Sequence, residues 1–164
     1  MKRIGLTING RKGEFIVDND RVLLDLLRET LGLIGVKQGC DRKGQCGACT
    51  VIVNGKAVLS CLTKVASLDG AKVITVEGLG TPDNPHLVQE AFALTGAIQC
   101  GFCTPGMVMA TKALLEENVN PTVEDIKHAL RRNLCRCTGY KKIIEAVQLA
   151  ARFVRGEATP DMVR

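Results

Sequence analysis

The sequence predicts an α+β protein, a small mixed sheet carrying one helix, followed by four short helices packed as a bundle. Three observations carry this. Hydrophobic periodicity is mainly two up to about residue 80 and helical beyond it. The eight cysteines divide evenly between those stretches: Cys40, Cys46, Cys49 and Cys61, then Cys100, Cys103, Cys135 and Cys137. The 164 residues hold one Tyr, four Phe and no Trp. Two small domains poor in the rings that fill most cores need another staple, and cysteine is the residue in surplus.

The first half opens with alternation at Ile4, Leu6 and Ile8. A turn at Asn9-Gly10 and Gly13 follows, then alternation at Phe15 and Val17. That is a hairpin. The run Val22 to Leu31 is helical, with Asp20 as N-cap and Gly32 as the C′ stop. Strand signals return at Thr50–Val53, turn at Asn54-Gly55, resume at Ala57–Leu59 and end at Lys72–Val76. The punctuated stretch Gly78 to Pro85 marks the boundary, dividing the chain into domains 1–78 and 79–155 with a loose tail 156–164.

Four helical stripes follow. Leu87, Val88, Ala91 and Phe92 form the first, ended by Gly96. Met107, Val108, Thr111, Leu114 and Leu115 form the second, with Thr104 as N-cap and Pro105 at N1. Val123, Ile126, Leu130 and Leu134 form the third, capped by Thr122 with Asp125 at N3. Ile143, Ile144, Val147, Ala151 and Val154 form the fourth.

Composition excludes several classes. A hydrophobic share of 46% with 24% charge is globular rather than disordered. The net charge of +5 is spread without a basic block, so no nucleic-acid arm is expected. The uncharged stretch Ala91 to Thr111 is interrupted by Gly96, Gln99, Gly101, Pro105 and Gly106, against a membrane span. The basic start Met1 to Asn9 lacks the apolar stretch of a secretory signal, so a cytoplasmic location is expected. There thiols stay reduced, and eight of them read as metal ligands before disulfides.

The first set is spaced C-x5-C-x2-C-x11-C. This is the plant-type ferredoxin pattern with one extra loop residue. Gly39, Gly44 and Gly47 let the backbone curl close to a cluster and aim N–H groups at it. Structural zinc sites usually join C-x2-C to a second close pair, which this half lacks, so spacing favours a cluster. The second set joins C-x2-C (Cys100, Cys103) to C-x-C (Cys135, Cys137), each pair just before a helix start, where the dipole lowers thiol pKa. Spacing alone leaves zinc and an iron-sulfur cluster both open there. His86 and His128 read as surface or packing residues, and Met107 and Met109 as packing. Arg42, Lys43, Lys141 and Lys142 read as solubilising charge with docking as the alternative, while Arg136 sits between two ligands, placed to offset cluster charge or meet an acidic group.

Cys40 to Thr50, Gln99 to Gly106 and Leu134 to Tyr140, in that order, resemble the signatures of the small iron-sulfur subunit of the molybdenum hydroxylases. This is the xanthine dehydrogenase, aldehyde oxidoreductase and carbon monoxide dehydrogenase family. The resemblance runs from about Ile4 to Val154 and departs at one point, the five residues between Cys40 and Cys46 where the family usually has four. It implies a β-grasp, ferredoxin-like domain with a [2Fe–2S] cluster on Cys40, Cys46, Cys49 and Cys61. It also implies a four-helix bundle with a second cluster on Cys100, Cys103, Cys135 and Cys137. Gln99 and Cys137 correspond to residues that meet the molybdopterin. The implied function is electron transfer between a molybdopterin-type molybdenum cofactor on a large subunit and FAD on a medium one, in a dimer of heterotrimers, with no substrate chemistry on this chain. A stand-alone two-cluster ferredoxin and a two-site structural zinc protein are the alternatives. The substrate is set elsewhere: purines, aldehydes, nicotinate-like heterocycles, carbon monoxide and hydroxybenzoyl thioesters remain open, the last with reversed electron flow.

Overall fold

A computed structural model describes residues 1–163. Strands β1 (Lys2–Ile8) and β2 (Arg11–Val17) form the expected hairpin. Its two-residue turn needs positive φ at both central positions, and Asn9 (49°) and Gly10 (80°) supply it. Gly13 lies inside β2, paired with Leu6, and not in the turn. β3 (Thr50–Val53) and β4 (Lys56–Leu59) repeat the device with Asn54 and Gly55, and β5 is Lys72–Ile74. The sheet order is β2-β1-β5-β3-β4, with β1 and β5 parallel and all other pairs antiparallel. β5 is shorter than expected because Val76–Gly78 winds into a 3-10 turn.

Helix α1 (Leu23–Asp25) runs on as a π-helical turn, Leu26–Thr30, and stops at Gly32 with φ 66°. Leu23, Leu24, Leu26 and Leu27 are all buried in one core with Ile4, Leu6, Val17, Val51 and Val73. Asp20 is not the N-cap. Val22 occupies that position in extended conformation, bridged to Lys64, and Asp20 instead pairs with Lys64 Nζ at 2.6 Å.

The second half folds as α2 (Leu87–Leu94), α3 (Thr104–Glu117), α4 (Val123–Leu130) and α5 (Lys141–Val154). Phe92, Met107, Ile126, Ile143 and Val147 are the centre of its core. The N-cap of α3 is Cys103, one residue before the expected Thr104. The Thr122/Asp125 capping box of α4 forms as expected. Leu134 lies past the end of α4 and is exposed, as is Val154, so neither belongs to its stripe. The tail is not patternless: Ala158 is buried in the helical core, and Pro160–Met162 forms a 3-10 turn against α2.

One packing feature joins the halves. All four residues of β3 are buried because both faces of that strand are covered. Val51 and Val53 face the α1 core, while Ile52 packs with Met109 and Ala113 of α3. Among the described residues no helix is long and apolar enough to cross a membrane.

Candidate metal centres

Each half gathers its own four cysteines at one place. In the first, Cys40 and Cys46 are within hydrogen-bonding reach of each other, as are Cys49 and Cys61, and Cys40 lies near enough to Cys61 to feel its charge. In the second, Cys100 and Cys137 Sγ atoms are 3.5 Å apart, Cys103 and Cys135 pair likewise, and the two pairs adjoin. All eight are free thiols.

The loop carrying Cys40 and Cys46 absorbs its extra residue by placing two consecutive non-glycine residues in the left-handed region, Asp41 (φ 51°) and Arg42 (φ 61°), before Gly44 (φ 68°). Arg42 is anchored rather than free. Its guanidinium lies 2.8 Å from Asp25 and 3.6 Å from Glu29 on the α1 segment. Burial pushes the Cys40 thiol up, but N–H groups of Cys46, Gln45 and Lys43 and the Cys46 thiol outweigh it and hold Cys40 down to about 7. The Gln45 N–H donates to Cys40 Sγ at 3.4 Å. Burial, with Cys49 alongside, pushes Cys61 up to about 12.

In the second set the helix-start expectation is overruled by the immediate surroundings of each thiol: Cys103 is raised, Cys137 is raised by its contact with the Cys100 thiol, and Cys135 is lowered by hydrogen bonds rather than by a helix start. Burial and neighbouring Cys135 push Cys103 up to about 12, overriding the start of α3. Cys135 also suffers burial, yet Thr138 and the Cys137 N–H bring it below the ordinary thiol value. Thr138 Oγ1 donates to Cys135 Sγ at 3.1 Å, and the Cys135 N–H donates to the Tyr140 hydroxyl at 2.9 Å. Tyr140 itself sits at φ 68°, directly after Gly139 at φ 61°. The C-T-G-Y run that spells this turn is in the sequence, but only the backbone reveals Tyr140 and Thr138 as supports of Cys135.

Gln99, Cys100, Arg136 and Cys137 are exposed together with Phe102 and Leu134, so this set opens onto a partly apolar face. Cys49 and Cys61 are buried, and Cys40 and Cys46 are partly so. His86 caps α2 through Nδ1, and His128 bonds Arg131; neither belongs to the thiol sets.

The donor chemistry fits a binuclear cluster. Four thiols suit a [2Fe–2S] cluster, which Cys40, Cys46, Cys49 and Cys61 would hold in the first half and Cys100, Cys103, Cys135 and Cys137 in the second. A lone zinc ion would draw four ligands to one point, whereas the thiols here fall into pairs, Cys40 with Cys46, Cys49 with Cys61, Cys100 with Cys137 and Cys103 with Cys135.

Comparison with known proteins agrees. Residues 6–72 match the family model of a 2Fe-2S iron-sulfur cluster binding domain, and residues 75–148 that of a [2Fe-2S] binding domain. The nicotinate dehydrogenase small FeS subunit of Eubacterium barkeri is 48% identical over 147 residues, covering 90% of this chain and 93% of that one. The chain belongs to this family of small iron-sulfur subunits. Structures of the wider molybdenum hydroxylase family carry the same fold. Quinoline 2-oxidoreductase from Pseudomonas putida 86 superposes with a TM-score of 0.86 at 41% identity, covering 96% of this chain and 98% of that one. The aldehyde oxidoreductase from Desulfovibrio gigas superposes with a TM-score of 0.96 at 44% identity over the whole of this chain. This chain spans only 18% of that longer protein.

Proposed function

We propose that the chain is the electron-transfer subunit of a heteromeric molybdenum hydroxylase, with Cys40, Cys46, Cys49 and Cys61 holding one [2Fe–2S] cluster and Cys100, Cys103, Cys135 and Cys137 the other. The observation that carries this is the gathering of eight thiols into two sets of two adjacent pairs, one set per half. When bound, the clusters supply one-electron carriers between a molybdopterin-type molybdenum cofactor on a large subunit and FAD on a medium subunit. In this reading domains 1–78 and 79–155 are a β-grasp unit and a four-helix bundle, in a dimer of heterotrimers.

The chain's own part is binding and tuning. The thiolates would hold the irons, and N–H groups of the Cys40–Cys46 loop, among them those of Lys43, Gln45 and Cys46 toward Cys40, would offset negative charge on sulfur. Gln99 and Cys137, on the exposed rim of the second set, meet the molybdopterin, and the apolar Phe102 and Leu134 beside them seat the large subunit. Held by these residues, the clusters would carry electrons released by substrate oxidation on that subunit from the second set to the first. The Cys135→Ser variant of the complex is expected to lose one of two distinguishable [2Fe–2S] EPR signals and to stop reduction of the flavin by substrate. Two unchanged signals, or a chain that purifies without a molybdenum-containing companion, overturns the reading.

A further inference from the structure

The seam between the two cysteine sets is closed by polar bonds. The Leu134 N–H donates to the Cys46 carbonyl at 2.9 Å. Beside it Asn133 is 4% exposed, and its amide nitrogen donates both protons, to the Gly47 carbonyl at 3.0 Å and to Thr50 Oγ1 at 3.2 Å. The same Gly47 carbonyl accepts from Thr50 Oγ1 at 2.7 Å. The backbones touch: a Cβ on Gly47 would lie 2.1 Å from the Arg132 carbonyl oxygen, and one on Gly106 would lie 2.4 Å from the Gly47 carbonyl oxygen. Cys46 of one set is thereby linked to Cys135 of the other by one hydrogen bond and the backbone of Leu134.

We propose that Asn133 is a positioning residue for electron transfer, holding the Cys46 carbonyl against the Leu134 N–H so that this hydrogen bond bridges the two cysteine sets. The inference rests on both sets carrying [2Fe–2S] clusters. An apolar side chain would fill the seam equally well but would not orient it. Buried amide bonds set direction, and their loss lets the two loops slide. Phe102 also comes close to Gly39, where an added Cβ would lie 3.0 Å from its ring, an apolar approach rather than a hydrogen bond. Loss of Asn133 leaves the Gly47 carbonyl paired with Thr50, so no orphaned acceptor unfolds the seam.

The test uses the assembled complex carrying Asn133→Leu, with iron content and both EPR signals as controls. The spin-spin splitting between the two reduced centres is expected to shrink. Electron equilibration between them after single-electron reduction is expected to slow by roughly tenfold or more, because small displacements of aligned groups cost rate steeply. Thr50→Val, which removes one of the two acceptors, is expected to fall between parent and Asn133→Leu, and it carries the test alone if Asn133→Leu does not assemble. Normal signals with unchanged splitting and equilibration overturn the inference and leave the functional reading standing. A parent protein without two iron signals overturns both.

Discussion

Cys40 carries the clearest electrostatic consequence at the scale of a single residue. Held down to about 7, it is half thiolate near neutral pH, whereas Cys61 and Cys103, pushed up to about 12 by burial, keep their protons until a metal displaces them. In the second set the Cys135 thiol also lies below the ordinary value. In the metal-free chain, iodoacetamide is expected to label Cys40 ahead of Cys61 and Cys103. Its rate should rise as pH climbs through about 7, as the thiolate fraction grows. Peptide mapping by mass spectrometry reads the order, and early labelling of Cys61 or Cys103 contradicts it. The eight sulfurs were legible from residue type and spacing alone. Their supports were not. Asn133 meets Gly47 across 86 positions of chain, and Tyr140 reaches the Cys135 N–H only because the backbone turns left-handed at Gly139 and Tyr140. Long-range pairing leaves no local mark in sequence, and although Gly139 hints at a turn, nothing local announces a positive φ at a bulky residue such as Tyr140.

At the scale of elements, local chemistry wrote most of what formed. Asn-Gly spells both hairpin turns, and Thr122 with Asp125 spells the start of α4. Misreadings fell where tertiary contacts overruled local signals. Asp20 looks like a cap, but the Val22 bridge to Lys64 keeps the chain extended until Leu23. The π-turn within α1 arises where four leucines must all reach one core, a demand that simple periodicity does not announce. His86 gives α2 a pH dependence. Its Nδ1 accepts the Val88 N–H at 3.2 Å, and burial, aided by nearby Lys112, holds its pKa below the ordinary value. A depressed histidine pKa favours the neutral ring. The cap is thus fully present above about pH 6.5 and is lost as pH falls through the lower folded value. Amide exchange at Val88 to Ala91, corrected for intrinsic rates, is expected to quicken between pH 7 and pH 5 in the parent. In His86→Asn, whose cap does not titrate, it should stay level. Equal pH dependence in both proteins contradicts the assignment.

For the whole molecule, scarce aromatics and surplus cysteine express one arrangement. Each half has an apolar core of aliphatic residues with few rings and adds four thiols, of which Cys49 and Cys61 are part of the first core while Cys100 and Cys137 are exposed. Packing of α3 on β3 and the polar seam at Asn133 bring the two halves together. The departure at Cys40 to Cys46 is absorbed locally, by Asp41 and Arg42 in left-handed conformation and the Arg42 contact to Asp25, without moving the cysteines apart. Hydrophobic period and cysteine count change together near residue 80, which is why the sequence suggests a division there. How the halves meet was not legible, since it depends on glycine contacts at Gly47 and Gly106 that only three-dimensional packing reveals. The central claim is that both thiol sets hold [2Fe–2S] clusters. Metal analysis with EPR of the dithionite-reduced native protein tests it most directly. About four irons per chain and two distinct [2Fe–2S] signals are expected, whereas a colourless protein containing zinc and no such signals would contradict both assignments.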